Sequence, residues 1–228
     1  MTKKILSIIP ARGGSKGLPR KNVIDLAGKP LIAWTIEASL NSKYITKTVV
    51  SSDDKEILDI SVDYGAEIIK RPDDLSTDTA TSESVVSHVI DYLESTGEIF
   101  DIVVLLQPTS PLRCYQDIDS AFEKIFSSGA TALISVCEYD NKILKAFKEN
   151  EFGYIEGVSN NIYPFMRRQD LPSVYMPNGA IYIINVKSFR EKGSFLTNKT
   201  LNYVMSKDRS MDVDILADID QIRNLINV

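Results

Sequence analysis

Apolar positions run almost unbroken through 4–10 (KILSIIP), 101–109 (DIVVLLQPT) and 130–139 (ATALISVCEY), and shorter strand-like segments lie at 47–52 (KTVVSS) and 66–71 (AEIIKR). Side chains alternate across a strand, so a strand with one wet face shows polar residues at every second position; runs without that gap predict strands covered on both faces. The intervening segments carry helical spacing instead. Residues 30–42 read as a helix opened by Pro30 at its first turn. Residues 52–65 have an acidic start and a closing glycine, 81–97 offer Ser or Thr at the cap, and 115–129 form a fourth helix. Buried strands alternating with amphipathic helices predict an α/β fold with a doubly wound, mostly parallel sheet.

After Tyr139 the rhythm changes. Residues 145–158 alternate around Glu-Asn-Glu-Phe-Gly and predict a β-hairpin, and an Asn-, Pro- and Arg-rich stretch runs on to Tyr175. The expected division is a core from 1–139 and 176–228, with 140–175 as a small protruding insertion. The core resumes with a strand at 178–186, a short helix near 187–192, a strand at 201–206 and a final helix at 217–226.

Composition narrows the class. The 228 residues are 43% hydrophobic and 25% charged, as in ordinary globular proteins. A net charge of −5 argues against a nucleic-acid partner, which calls for a basic surface. No apolar run approaches the roughly 20 residues of a membrane span, so no membrane association and a cytoplasmic setting are expected. Cys114 and Cys137 match neither a disulfide framework nor zinc spacing and read as reduced thiols. His88, the sole histidine, falls on a helical apolar face and reads as a packing residue.

Against that acidic background one loop is basic. Residues 11–22 (ARGGSKGLPRKN) follow the first strand and hold Arg12, Lys16, Arg20 and Lys21 among three glycines. In open α/β sheets ligands bind beyond the carboxyl ends of the strands, and this loop position commonly holds phosphates. The charge exceeds what one carboxylate needs and suits a triphosphate. Neither the Gly-x4-Gly-Lys-Ser/Thr loop nor the Gly-x-Gly-x-x-Gly fingerprint fits. Near the other end, SMDVD (210–214) would, if extended, put Asp212 and Asp214 on one side, a pattern suited to magnesium. The same residues also suit an acidic lead into the last helix, and their pattern alone leaves both readings open.

The segment IIPARGGSKGLPRKN (8–22) resembles the signature of the CMP-sialic acid synthetase family, and the likeness continues in order through KRPDDLSTDTATSESVV (70–86), LLQPTSPLR (105–113), PNGAIYI (177–183) and MDVD (211–214). The resemblance implies a nucleotidyltransferase-type, Rossmann-like fold. It also implies transfer of CMP from CTP, with magnesium, to the anomeric hydroxyl of an acidic 2-keto sugar, with release of pyrophosphate. By the same resemblance Arg12, Lys16 and Lys21 bind the triphosphate, Asn22 lies against cytosine, and Arg71 and Ser82 complete the nucleobase pocket. Arg12, Lys21, Asp212 and Asp214 would be catalytic, the two aspartates holding the metal. Gln107, Arg168, Asn178 and Tyr182 would meet the sugar; Thr109, Ser110 and Arg113 would shape the loop after Gln107, and Cys114 is incidental. The insertion 140–175 would make a homodimer through Phe147, Phe152, Tyr154 and Tyr163.

Alternatives follow from the same motifs. Legionaminate and pseudaminate synthetases share them. Cytidylyltransferases for 3-deoxy-octulosonate have an opening loop of the PARxxSTRLPxK kind, unlike Gly14-Ser15-Lys16-Gly17. A non-catalytic nucleotide-binding homologue would be expected to lack a loop cation or an aspartate, and all are present.

Overall fold

The computed structural model describes residues 3–14 and 17–226. A seven-stranded sheet carries the fold. In chain order its strands are β1 (Ile5–Pro10), β4 (Lys47–Ser52), β5 (Glu67–Lys70), β6 (Ile102–Leu105), β7 (Ala132–Tyr139), β10 (Val174–Asn185) and β11 (Thr200–Val204). The spatial order is β11-β7-β10-β6-β1-β4-β5. The numbering gaps are two small ribbons, β2 (Asp25–Leu26) with β3 (Lys29–Pro30) and β8 (Phe147–Glu149) with β9 (Ile155–Gly157). All pairings in the sheet are parallel except those of β10, which runs against both β6 and β7.

Six helices cover the sheet: α1 (Leu31–Leu40), α2 (Lys55–Asp63), α3 (Ser82–Ser95), α4 (Tyr115–Phe126), α5 (Val186–Lys192) and α6 (Leu216–Ile226). The unbroken apolar runs divide between two cores. In β1, Ile5 and Ile9 face a cluster with Ile32 and Ile36 of α1 and Ile118 and Phe122 of α4. Leu6 and Ile8 face the other side, against Val86 and Val89 of α3 and Phe189 of α5. Both faces of the strand are dry, which is why its sequence shows no alternation. Helix starts follow local chemistry: the Asp54 carboxylate accepts the Ile57 N–H, and the Thr81 hydroxyl accepts the Ser84 N–H.

Three expectations change. The strand expected at 178–186 begins at Val174, inside the segment assigned to the insertion, because pairing with β7 extends through Val174–Tyr139 and shifts register between Pro177 and Tyr182. The apolar run at 101–109 is strand only to Leu105; Gln107 onward turns away into a loop. Cys114 is not incidental to the fold, since it sits at the N-cap of α4, where the Asp117 carboxylate accepts from its N–H at 2.9 Å and from its thiol at 3.2 Å. The hairpin β8–β9 and the residues after it leave large apolar side chains in solvent, with Phe152 74%, Tyr154 72% and Phe165 82% exposed.

Candidate functional site

Strand order reverses at β1, which lies between β4 and β6, and this is where an open α/β sheet forms its crevice. The loop after β1, Arg71 after β5, the start of α3, the loop after β6 and the residues before α6 converge there on a cleft of about 410 Å³. It gathers Arg12, Lys21, Asn22, Arg71, Ser82, Gln107, Asp212 and Asp214. Lys16 falls outside the described residues.

The basic loop is tied down from several sides. The Gly13 N–H donates to Asp53, and Arg20, at a positive φ of 60°, pairs with Asp54 and Glu56 at the start of α2. Arg20 therefore anchors the loop while Arg12 and Lys21 face the cleft. Arg12 pairs with Asp78 at 2.7 Å. Lys21, largely buried, donates to the Val213 carbonyl at 2.6 Å and to Asp214 at 3.2 Å, so it links the basic loop to the acidic segment. Gly17 lies so close to that segment that a Cβ there would stand 2.8 Å from the Asp214 carbonyl oxygen.

Asn22 and Arg71 form the inner wall. Asn22 is buried, its amide N–H donating to the Arg12 carbonyl while its Oδ1 has no partner among the described residues. A buried acceptor left open beside a cleft suits a ligand donor such as an exocyclic amine. Arg71 donates to the Ser51 carbonyl at 2.7 Å and to the Ser51 hydroxyl at 3.3 Å. Burial pushes its guanidinium down to about 10, with Asp53 opposing and Arg12 adding to the shift, so it stays charged at neutral pH. Thr81 takes the helix cap, leaving Ser82 in the first turn of α3 on the cleft wall.

The SMDVD segment is extended: Val213 is fully buried and Met211 packs beside it, while Asp212 and Asp214 project on the other side. The Val213 N–H donates to the Thr109 carbonyl at 2.9 Å. Burial and the neighbouring Asp214 charge raise the Asp212 carboxyl above its ordinary value, against the Thr109 hydrogen bond and Lys21. Among the described residues no cluster of three or more His, Cys, Asp or Glu side chains could hold a metal alone. Two like-charged carboxylates held together fit a magnesium ion whose remaining ligands are substrate phosphates and water.

Gln107 and Asp212 also line a second hollow, of about 670 Å³, with Asn178 and Tyr182. Arg113 fixes the loop between them: it is buried and donates to the carbonyls of Gln107 and Ala180 and to the Thr35 hydroxyl. The Tyr182 ring packs on Phe195, and burial raises its hydroxyl above the ordinary value.

One sugar-side expectation needs correction. The Asn178 amide is already engaged: Oδ1 accepts from Ser135 and the Ala180 N–H, and Nδ2 donates to Ser210 and Met205. It braces the wall and has no spare donor for a sugar. Arg168 lines an adjoining hollow that shares Glu138, Tyr139, Asp140 and Lys207 with the second one, and its largely exposed guanidinium stands 3.4 Å from Asp140. The sequence reading missed Asp78 and the Arg209–Asp117 pair, in which Arg209 also meets the Leu112 carbonyl and Cys114 and so holds the chain leading into Asp212. Asp78 lies within a quoted motif, but its partner is contributed by a residue 66 positions away and no local pattern marks the pairing.

A family profile described as cytidylyltransferase matches residues 6–219. The chain is 36% identical over 232 residues to a pseudaminic acid cytidylyltransferase of Campylobacter jejuni, covering 99% of this chain and 97% of that one. It is 38% identical over 217 residues to an N-acylneuraminate cytidylyltransferase of Streptococcus agalactiae, covering 94% of this chain and 51% of that longer protein. Its fold is similar to a solved CMP:2-keto-3-deoxy-manno-octonic acid synthetase complexed with CTP, at a TM-score of 0.72, 17% identity and 98% coverage of each chain.

Proposed function

The chain belongs to the cytidylyltransferases, in the CMP-sialic acid synthetase family, and from that premise we propose that it transfers CMP from CTP to the anomeric hydroxyl of a nine-carbon 2-keto acid sugar, releasing pyrophosphate. One observation carries this reading: cations from the loop after β1 and carboxylates from the segment before α6 meet in a single cleft at the sheet's switch point, joined by Lys21.

In this reading Arg12 and Lys21 hold the triphosphate, which requires Arg12 to exchange Asp78 for phosphate oxygens. The unpaired Asn22 oxygen accepts the cytosine amino group, and Arg71 and Ser82 present donors to the ring's acceptors. Asp212 and Asp214 would hold magnesium, which would supply positive charge to neutralise the phosphates. Gln107 and Asp212 stand where the nucleotide cleft meets the second hollow, so an acceptor seated there presents its hydroxyl to the α-phosphate. Negative charge develops on phosphate oxygens, so Arg12 and Lys21 act by electrostatic stabilisation and positioning.

The exposed aromatics of 147–165 support a homodimer, since side chains such as Phe152 and Phe165 bury their apolar area only against another surface. No helix among the described residues is long and apolar enough to cross a membrane. The test of the reaction is pyrophosphate release from CTP and magnesium with acid sugars. Release that needs both the sugar and the metal supports the reading; tight CTP binding with no release under any acid sugar refutes it.

A further inference from the structure

The hollow beside the nucleotide cleft has a wall unsuited to hydroxyl groups. In the antiparallel register of β7 and β10, Cys137 stands opposite Met176, and directly opposed residues project from the same face. Both line the hollow, which the chain at Met211 and Asp212 borders on its far side. The polar groups between them are already paired. Asn178 has four protein partners, and the Ser210 hydroxyl donates to the Ser206 carbonyl while accepting from Asn178. A sugar hydroxyl pressed on this wall would find no free partner, whereas a methyl or the methyl of an acylamino group would rest on polarisable sulfur. The charged residues Glu138, Asp140 and Lys207 stay at the exposed rim.

We infer that the acceptor is an acid sugar in which acylamino and methyl groups replace hydroxyls of the exocyclic chain, and that the Cys137–Met176 wall selects it. The inference rests on the cytidylyl-transfer reading. An apolar pocket discriminates against an added hydroxyl by up to about 100-fold, so the preference in kcat/KM should lie between about 10- and 100-fold.

The experiment compares pyrophosphate release by the full chain, with CTP and magnesium, for pseudaminate, legionaminate and N-acetylneuraminate. The first two carry a second acylamino group and a terminal methyl where the third carries hydroxyls. It is repeated on the double variant Met176→Gln, Cys137→Ser, with CTP affinity measured by calorimetry to show that the variant is folded. A tenfold or greater preference for either deoxy sugar, narrowed at least threefold in the variant, is the expected result. Equal or better turnover of N-acetylneuraminate overturns the inference and leaves the transfer reaction standing. An unchanged ratio in the folded variant overturns the wall as the determinant. Release with none of the three, despite CTP binding, overturns the transfer reading and the inference together.

Discussion

Gly179 offers a direct measure of how tightly the sheet's mouth holds Gln107. Its φ is +75°, and a Cβ there would stand 2.5 Å from Gln107 Oε1 and 3.2 Å from the Ser110 hydroxyl. In Gly179→Ala the left-handed backbone costs roughly 1–2 kcal/mol. The Gln107 amide is the flexible partner and swings away, losing one hydrogen bond to the acceptor, about 0.5–1.5 kcal/mol. At 1.4 kcal/mol per factor of ten, kcat/KM for the acid sugar should fall roughly 2- to 10-fold while CTP affinity holds. The melting temperature should drop by roughly 2–8 °C. Gly97→Ala is the control: its φ is +87° with nothing within 4 Å of the added Cβ, so it takes the backbone strain alone. Melting curves and steady-state kinetics at saturating CTP are the assays. If Gly179→Ala kept wild-type kinetics for the sugar, or Gly97→Ala lost as much sugar turnover, the packing argument would be refuted.

Asp212→Asn separates stability from function. A carboxyl whose folded pKa is raised contributes stability at low pH that is lost as pH rises through that value. Metal-free Asp212→Asn should therefore melt above the wild type at pH 8, with the difference vanishing below about pH 4, while its turnover with magnesium falls by about 100-fold or more. An equal or lower melting point at pH 8 counts against a strained carboxylate. Arg209→Met removes the partner of a buried Asp117 carboxylate that still keeps its cap to Cys114 and a Tyr203 contact. About 1–3 kcal/mol and a raised magnesium requirement are expected, with partial recovery in Arg209→Lys; an unaltered magnesium titration would limit Arg209 to a fold-stabilising role. Light scattering after gel filtration should give the mass of two chains, and of one chain for Phe165→Asp; a wild-type monomer at micromolar concentration would remove the dimer.

Much of the core was legible because its cause is local. Strands β1, β6 and β7 carry apolar residues on both faces, and caps such as Asp54 and Thr81 act within three residues of the helix they start. The acidic pair was only half legible: an extended stretch with Val213 inward turns Asp212 and Asp214 outward, but the same residues suited an acidic lead into the last helix until the fold placed them. The direction of β10 was not, because an apolar run reads alike in a parallel and an antiparallel strand.

The chain's own order of residues determined that a basic glycine loop would follow a buried strand and that strands and helices would alternate around it. Only the folded chain decided which polar groups remained available. Asn178 is spent on Ser135, Ala180, Ser210 and Met205, Arg168 is drawn to Asp140, and the Asn22 oxygen is left open. A hydrogen bond is satisfied by whatever group stands within about 3 Å; for Asn178 and Arg168 those groups, Ala180 apart, lie tens of positions away in sequence, and for the Asn22 oxygen none stands among the described residues.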